Sequence, residues 1–125
     1  MKQTLIALLE TLGFPVYLQG SIAAPADYPD SFFTFWLFSA PESLHYDNAA
    51  NRCIWGFWVY FYSTDPMLVL EIPERARMLL KENGFVTEGK PVDVRVDTPT
   101  HTGAMITVYG VENYKEENAN EHSDE

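Results

Sequence analysis

Two stretches of the chain, Ser31–Phe38 and Cys53–Tyr62, alternate at the strand period yet are apolar on both sides. In the first, Phe32, Thr34, Trp36 and Phe38 share one face, and Phe33, Phe35 and Leu37 share the other. In the second, Trp55, Phe57, Val59 and Phe61 oppose Ile54, Trp58, Tyr60 and Tyr62. A strand with one face in water alternates apolar with polar residues; these two do not. Thirteen of the eighteen aromatic residues lie between Tyr28 and Tyr62, so the excess is local. A sheet built from them needs cover on both faces, or it exposes a larger aromatic patch than monomers ordinarily carry.

The remaining pattern says how much cover the chain itself supplies. Leu5, Leu8, Leu9 and Leu12 make one stripe of a helix, with Gly13 placed to end it. Phe14–Leu18 reads as a short strand around Pro15, followed by a loop over 20–30 punctuated by Pro25 and Pro29. Ser39–Asn51 is a long polar connection. Asp65-Pro66 opens a second helix as an N-cap acid with proline in the first turn, and Gly84 closes it. Leu68, Ile72, Ala76, Leu79 and Leu80 form its stripe, while Pro73 predicts either a kink or a regular helix that only begins there. Val92, Val94 and Val96 alternate with Asp93, Arg95 and Asp97, the pattern of a strand with one wet face, and Ala104–Val111 is a final strand. The order α-β-β-β-α-β-β predicts an α+β fold, an antiparallel sheet with both helices packed on one face. There is no βαβ alternation and no glycine-rich phosphate loop, which speaks against a nucleotide-binding doubly wound fold.

Two helices on one face leave the other face bare. Another copy of the chain or another subunit is the expected cover, because Tyr and Trp combine contact area with a polar handle. The candidate interface is Trp36, Phe38, Trp58, Tyr60 and Tyr62, joined by His45 and Asp47 from the connection after the first aromatic strand. Two other readings stay open. Loops 20–30 and 39–51 with the last strand can fold over the face, or the face is a platform on which a saccharide or peptide stacks.

Charge and composition narrow the function. The chain's 125 residues suit one domain, expected at 1–111, with 112–125 an acidic disordered tail. That last segment holds six acids against Lys115, half of the net charge of −10. Such a balance excludes a phosphate-backbone binder and disfavours an anionic membrane surface. No run approaches the length of a membrane span, and Leu5–Leu9 is short for the core of a signal peptide, so a protein made and folded in the cytoplasm is expected. The single cysteine, Cys53, allows neither an internal disulfide nor a thiolate metal cage. His45 with Asp47, and His101 within Thr98–Thr102, are the groups able to bind metal or move protons. No third ligand or HExxH pattern completes a set, so they read as turn residues. Cys53 beside Arg52 reads as a structural cysteine, and Asp27 and Asp30 as turn formers around Pro29. The expectation is a protein without catalytic residues, metal or cofactor; a small hydrolase using His45, Asp47 or His101 is the lesser alternative.

One family resemblance joins these features. The helix Leu5–Leu12 running into Gly13-Phe14-Pro15-Val16-Tyr17, the Phe/Trp-rich strand 31–38, and Ile54–Tyr62 passing through Ser63-Thr64-Asp65-Pro66 into a helix resemble the small tail-completion, tail-terminator and head–tail joining proteins of long-tailed bacteriophages. The likeness covers most of residues 2–111. It implies a tail-terminator-like fold and a non-enzymatic virion subunit, encoded by a phage or prophage and made in the bacterial cytoplasm. It further implies a homo-oligomeric ring, hexameric in expectation, at the head-proximal end of the tail. There it would halt tube growth or mate tail to head, with tail-tube and head-connector proteins as partners. Pro73 departs from an uninterrupted second helix, and the acidic tail has no counterpart in the resemblance.

Overall fold

The structure, a computed structural model, describes residues 1–18, 28–40 and 52–113. Helix α1 (Lys2–Glu10) leads into strand β1 (Val16–Leu18), then β2 (Ser31–Ser39) and β3 (Arg52–Ser63). Helix α2 (Pro66–Glu82) follows, then β4 (Val86–Val94) and β5 (Thr102–Asn113). The class is α+β, in the element order the sequence predicts. The connections 19–27 and 41–51 lie outside the described residues, as does the segment from 114 onward. The strand β5 ends at Asn113 and so takes in the first two residues of the segment expected as the acidic tail.

The strands form a single sheet in the order β1-β2-β3-β5-β4. Three pairings are antiparallel, but β1 runs parallel to β2, so the expected all-antiparallel sheet is corrected to a mixed one. Twelve residues separate Leu18 from Ser31, long enough to carry the chain back to the same end of the sheet.

Both helices lie on one face. Leu5 and Leu9 of α1 and Val69, Ile72, Ala76 and Leu80 of α2 pack on Phe33, Phe35, Phe57, Val59, Phe61, Ala104, Ile106 and Val108. The cross-strand register places these strand residues side by side: Phe33 faces Phe61, Val59 faces Ile106, and Phe57 faces Val108. Each fully buried Phe or Leu there contributes roughly 1.5–3 kcal/mol relative to an exposed one.

The helix starts and stops follow from local chemistry. The Asp65 carboxylate accepts the Met67 N–H at 3.0 Å, capping α2 where the sequence placed its start. The hydroxyl of the fully buried Ser63 accepts the Asp65 N–H at 2.9 Å and meets the Ser31 hydroxyl at 2.8 Å, fastening the β3–α2 corner to β2. Gly13, at φ +96°, turns the chain after α1 in a conformation other residues avoid. Pro73 lies inside α2 with its ring buried, so the alternative of a helix beginning at Pro73 is overturned.

The strand expected around Val92–Val96 is also corrected. β4 runs over Val86–Val94, and its valines point away from the helices. Val92 pairs with Met105 and Val94 with Gly103, both on the opposite face from Ala104. The alternation is real, but its dry side adds to the face that the helices leave uncovered, while Asp93 falls on the helix side.

Candidate functional site

The face away from the helices is built from every strand. β1 gives Tyr17; β2 gives Phe32, Thr34, Trp36 and Phe38; β3 gives Ile54, Trp58, Tyr60 and Tyr62. β5 adds Met105, Thr107, Tyr109 and Val111, and β4 adds Val86, Glu88, Val92 and Val94. Five of the expected interface residues, Trp36, Phe38, Trp58, Tyr60 and Tyr62, are thus brought together on one surface. His45 and Asp47 lie outside the described residues.

The face divides into a covered end and an open one. At the covered end Phe32 is buried under the chain's own rings. Tyr17, Tyr28 and His101 meet it edge-on at centroid distances of 6.0, 5.4 and 5.9 Å, and Tyr62 lies at 5.3 Å. Tyr62 spreads over Gly103, where a Cβ would come within 2.5 Å of its ring. His101 is locked in place: Nε2 lies 2.8 Å from the Pro29 carbonyl, which only accepts, so Nε2 carries the proton. Its Nδ1 meets the Thr100 hydroxyl at 2.9 Å. Both ring nitrogens are therefore engaged within the chain, and the histidine holds the 28–30 segment against the last turn before β5.

Toward the other end the cover stops. Trp36 is 48% exposed, Ile54 51% and Val86 55%. Phe38 lies flat on Trp58 (centroids 4.9 Å, planes 18° apart) and across Gly56, whose missing side chain makes room for it. Tyr60 stacks parallel to Tyr62 at 6.1 Å. Burial pushes the Tyr60 phenol above its ordinary range. The Tyr109 hydroxyl donates to Glu88 at 3.0 Å and that bond, followed by desolvation, raises its pKa. Tyr28 is raised by desolvation first, then by its hydrogen bond of 2.9 Å to Asp97. Tyr28, Tyr60 and Tyr109 are thereby held as neutral polar tips on apolar bodies.

The sheet's two edges are blunted while its face is not. β1 has three residues and follows Pro15. β4 loses its register between Glu88 and Val92, where Gly89, Lys90 and Pro91 intervene. Short strands, proline, lysine and bulges are the usual means of stopping edge-to-edge pairing. Contact through the backbone edge is thus discouraged, and contact through side chains is left available.

Other chemistry is sparse. Among the described residues no group of three or more His, Cys, Asp and Glu is placed to hold a metal ion. No described helix is long and apolar enough to cross a membrane. Cys53 is buried near the start of β3 on its helix side, and two residues on the Trp55 indole donates to Glu112 at 3.0 Å. An open cleft of about 450 Å³ lies between the start of α2 and the β4–β5 strands, lined by Val69, Leu70, Val94 and Val96 with Asp93 as its one acid. No protein-family model matches the chain, and no curated protein does either.

Reading the sequence by alternation finds most of this surface. Ile54 carries the same signal as Trp58, two strand repeats away on the same face. The valines of β4 were not separable from core valines, because only pairing with β5 decides which side they face.

Proposed function

We propose that the chain is a structural subunit that self-assembles through the uncovered sheet face, working in the neck or tail of a long-tailed bacteriophage. The observation that carries this reading is the open face itself. At its open end Trp36, Ile54 and Val86 each stay about half exposed, and the sheet is flanked by edges that discourage strand pairing. A second copy of the chain is the occupant that suits it, since the face is rich in Tyr and Trp and poor in charge, the composition of an interface centre. Its partners in that setting are further copies in a ring, six in expectation, and the tail-tube and connector proteins on either side. The phage setting rests on the resemblance of the segments 5–17, 31–38 and 54–66 and on the element order; the assembly reading rests on the surface. No enzymatic role is proposed.

Sedimentation or light scattering across a concentration series tests the assembly reading. The wild-type chain is expected as a defined multimer, and Trp36→Glu with Ile54→Glu as a monomer of unchanged circular dichroism. A chain that stays monomeric at high concentration and instead binds oligosaccharide or peptide would replace self-assembly with the stacking-platform reading.

A further inference from the structure

The joint between α2 and β4 carries a reactive pair that the sheet face does not use. Of the six asparagines in the chain, only Asn83 precedes a glycine. Asn83 caps the C-terminus of α2 at φ −105° and ψ 23°, and Gly84 follows at φ +94°, where glycine sits without penalty. Both residues are exposed. Three hydrogen bonds fasten the joint to the last turn of the helix. Asn83 Nδ2 donates to the Leu79 carbonyl at 2.8 Å, and the Asn83 and Phe85 N–H groups donate to the Leu80 carbonyl, each at 3.0 Å. The Gly84 N–H is held more loosely, reaching the Lys81 carbonyl at 3.3 Å. Gly84 has no Cβ, and the space where one would stand is open. Its nitrogen is therefore the least secured and least shielded amide of the joint, and it is bonded to the residue whose side-chain amide lies within reach.

The geometry points to Asn83 as a site of spontaneous covalent modification, by deamidation through Gly84. The Gly84 nitrogen gives up its proton to solvent base and attacks Asn83 Cγ. A bond forms between that nitrogen and Cγ, the Cγ–Nδ2 bond breaks, and Nδ2 leaves as ammonia, closing a succinimide ring. Water then opens the ring at either carbonyl. Opening at the side-chain carbonyl leaves aspartate; opening at the backbone carbonyl leaves isoaspartate, with the chain running through the former side chain. One water is consumed for each ammonia released, and nothing is oxidised or reduced. The motion required is small: the Leu79 and Lys81 bonds must let go at an exposed helix end, where local opening is cheap. The products differ from Asn83 where it matters. A carboxylate cannot donate to the Leu79 carbonyl, and it adds negative charge to the negative end of the helix, opposed in the last turn only by Lys81. Isoaspartate also lengthens the backbone by one carbon just before Phe85, whose ring is packed in the core. The modified chain is thus weakened at the α2–β4 joint, on the side of the sheet away from the open face.

Incubation of the full chain in warm, mildly alkaline buffer tests this, with peptide mapping by mass spectrometry and enzymatic methyl labelling of isoaspartate. The same chain unfolded in urea serves as the reference. The peptide spanning 83 and 84 is expected to convert from amide to acid in the folded chain at a rate within about tenfold of the unfolded one, since the joint opens locally. Isoaspartate is expected at position 83, and Asn83→Gln, whose longer side chain cannot close the same ring, is expected to abolish it. A peptide that stays unconverted in the folded chain while the unfolded chain converts overturns the proposal, because the bond to Leu79 then protects the site. Labelling at this peptide that persists in Asn83→Gln overturns it as well. Asn83→Asp, which supplies one product directly, is expected to lower the urea midpoint; a midpoint equal to wild type overturns the weakening of the joint.

Discussion

The two sides of β3 have nearly the same hydrophobicity and opposite fates. Trp55, Phe57, Val59 and Phe61 lie beneath α1 and α2, whereas Ile54, Trp58, Tyr60 and Tyr62 face away from them. What separates the two sets is the tyrosine hydroxyl. The strand residues packed against the helices are Phe, Leu, Val, Ile, Ala and Trp; the tyrosines of β1, β3 and β5 all stand on the other side. A phenol buried in a core must find a partner or lose a hydrogen bond, so tyrosine settles where water, a carboxylate or a second molecule is within reach. Apolarity alone marks a surface for covering, and the hydroxyls mark the side on which polar partners are within reach.

Phe57→Ala is the largest test of that contrast. Its ring is fully buried between β2 and β5 under the helices, so truncation is expected to cost about 3–5 kcal/mol in urea unfolding. Trp36→Ala, half exposed on the other side, is expected to cost the monomer less than about 1 kcal/mol. Equal losses would mean that the outward side is a second core.

Phe32→Ala sharpens the boundary within the outward side. Phe32 shares a face with Trp36 yet is only 2% exposed, because Tyr17, Tyr28, Tyr62 and His101 surround it. A loss of about 3 kcal/mol with assembly retained is expected. A loss as small as that of Trp36→Ala would show that the four rings lend Phe32 no shelter.

Gly103→Ala acts on the same end more gently. The new methyl would sit 2.5 Å from the Tyr62 ring and 3.1 Å from a Val94 methyl, so Tyr62 has to slide. About 1–2 kcal/mol of destabilisation is expected in urea unfolding. A neutral result would indicate that Tyr62 is not held down on the strand.

How much of this was readable beforehand varies with the kind of signal. The elements, their order and the two faces of β2 and β3 follow from local periodicity, which the pleat preserves whatever the neighbours are. The direction of β1 and the outward turn of Val86, Val92 and Val94 were not readable, because each depends on a pairing partner distant in sequence. The reading of a regular helix that only begins at Pro73 failed for a related reason. The proline's cost to the helix is local, while the burial of its ring against the core is tertiary. At the site, Trp36, Phe38, Trp58, Tyr60 and Tyr62 were found by alternation.

The smallest expected effect concerns alkaline pH and belongs to the outward side alone. Tyr28, Tyr60 and Tyr109 have pKa values raised above the ordinary 10.0, by burial at Tyr28 and Tyr60 and by the bond to Glu88 at Tyr109. A raised folded-state value means the fold favours the protonated phenol. That stabilisation is whole below pH 10.0 and is lost as pH climbs through the higher folded-state values. Tyrosinate absorbance is expected to titrate later in the folded chain than in urea, with the urea midpoint falling as pH climbs from 10.0 through the folded-state values. Glu88→Gln removes the carboxylate that opposes ionisation of Tyr109 and is expected to bring part of the absorbance change to lower pH. Phe57→Ala, if still folded, should leave the curve where it is, because its face holds no phenol among the described residues. An alkaline loss that follows the helix-side variant instead would place the titrating groups in the core and dissolve the distinction between the two sides.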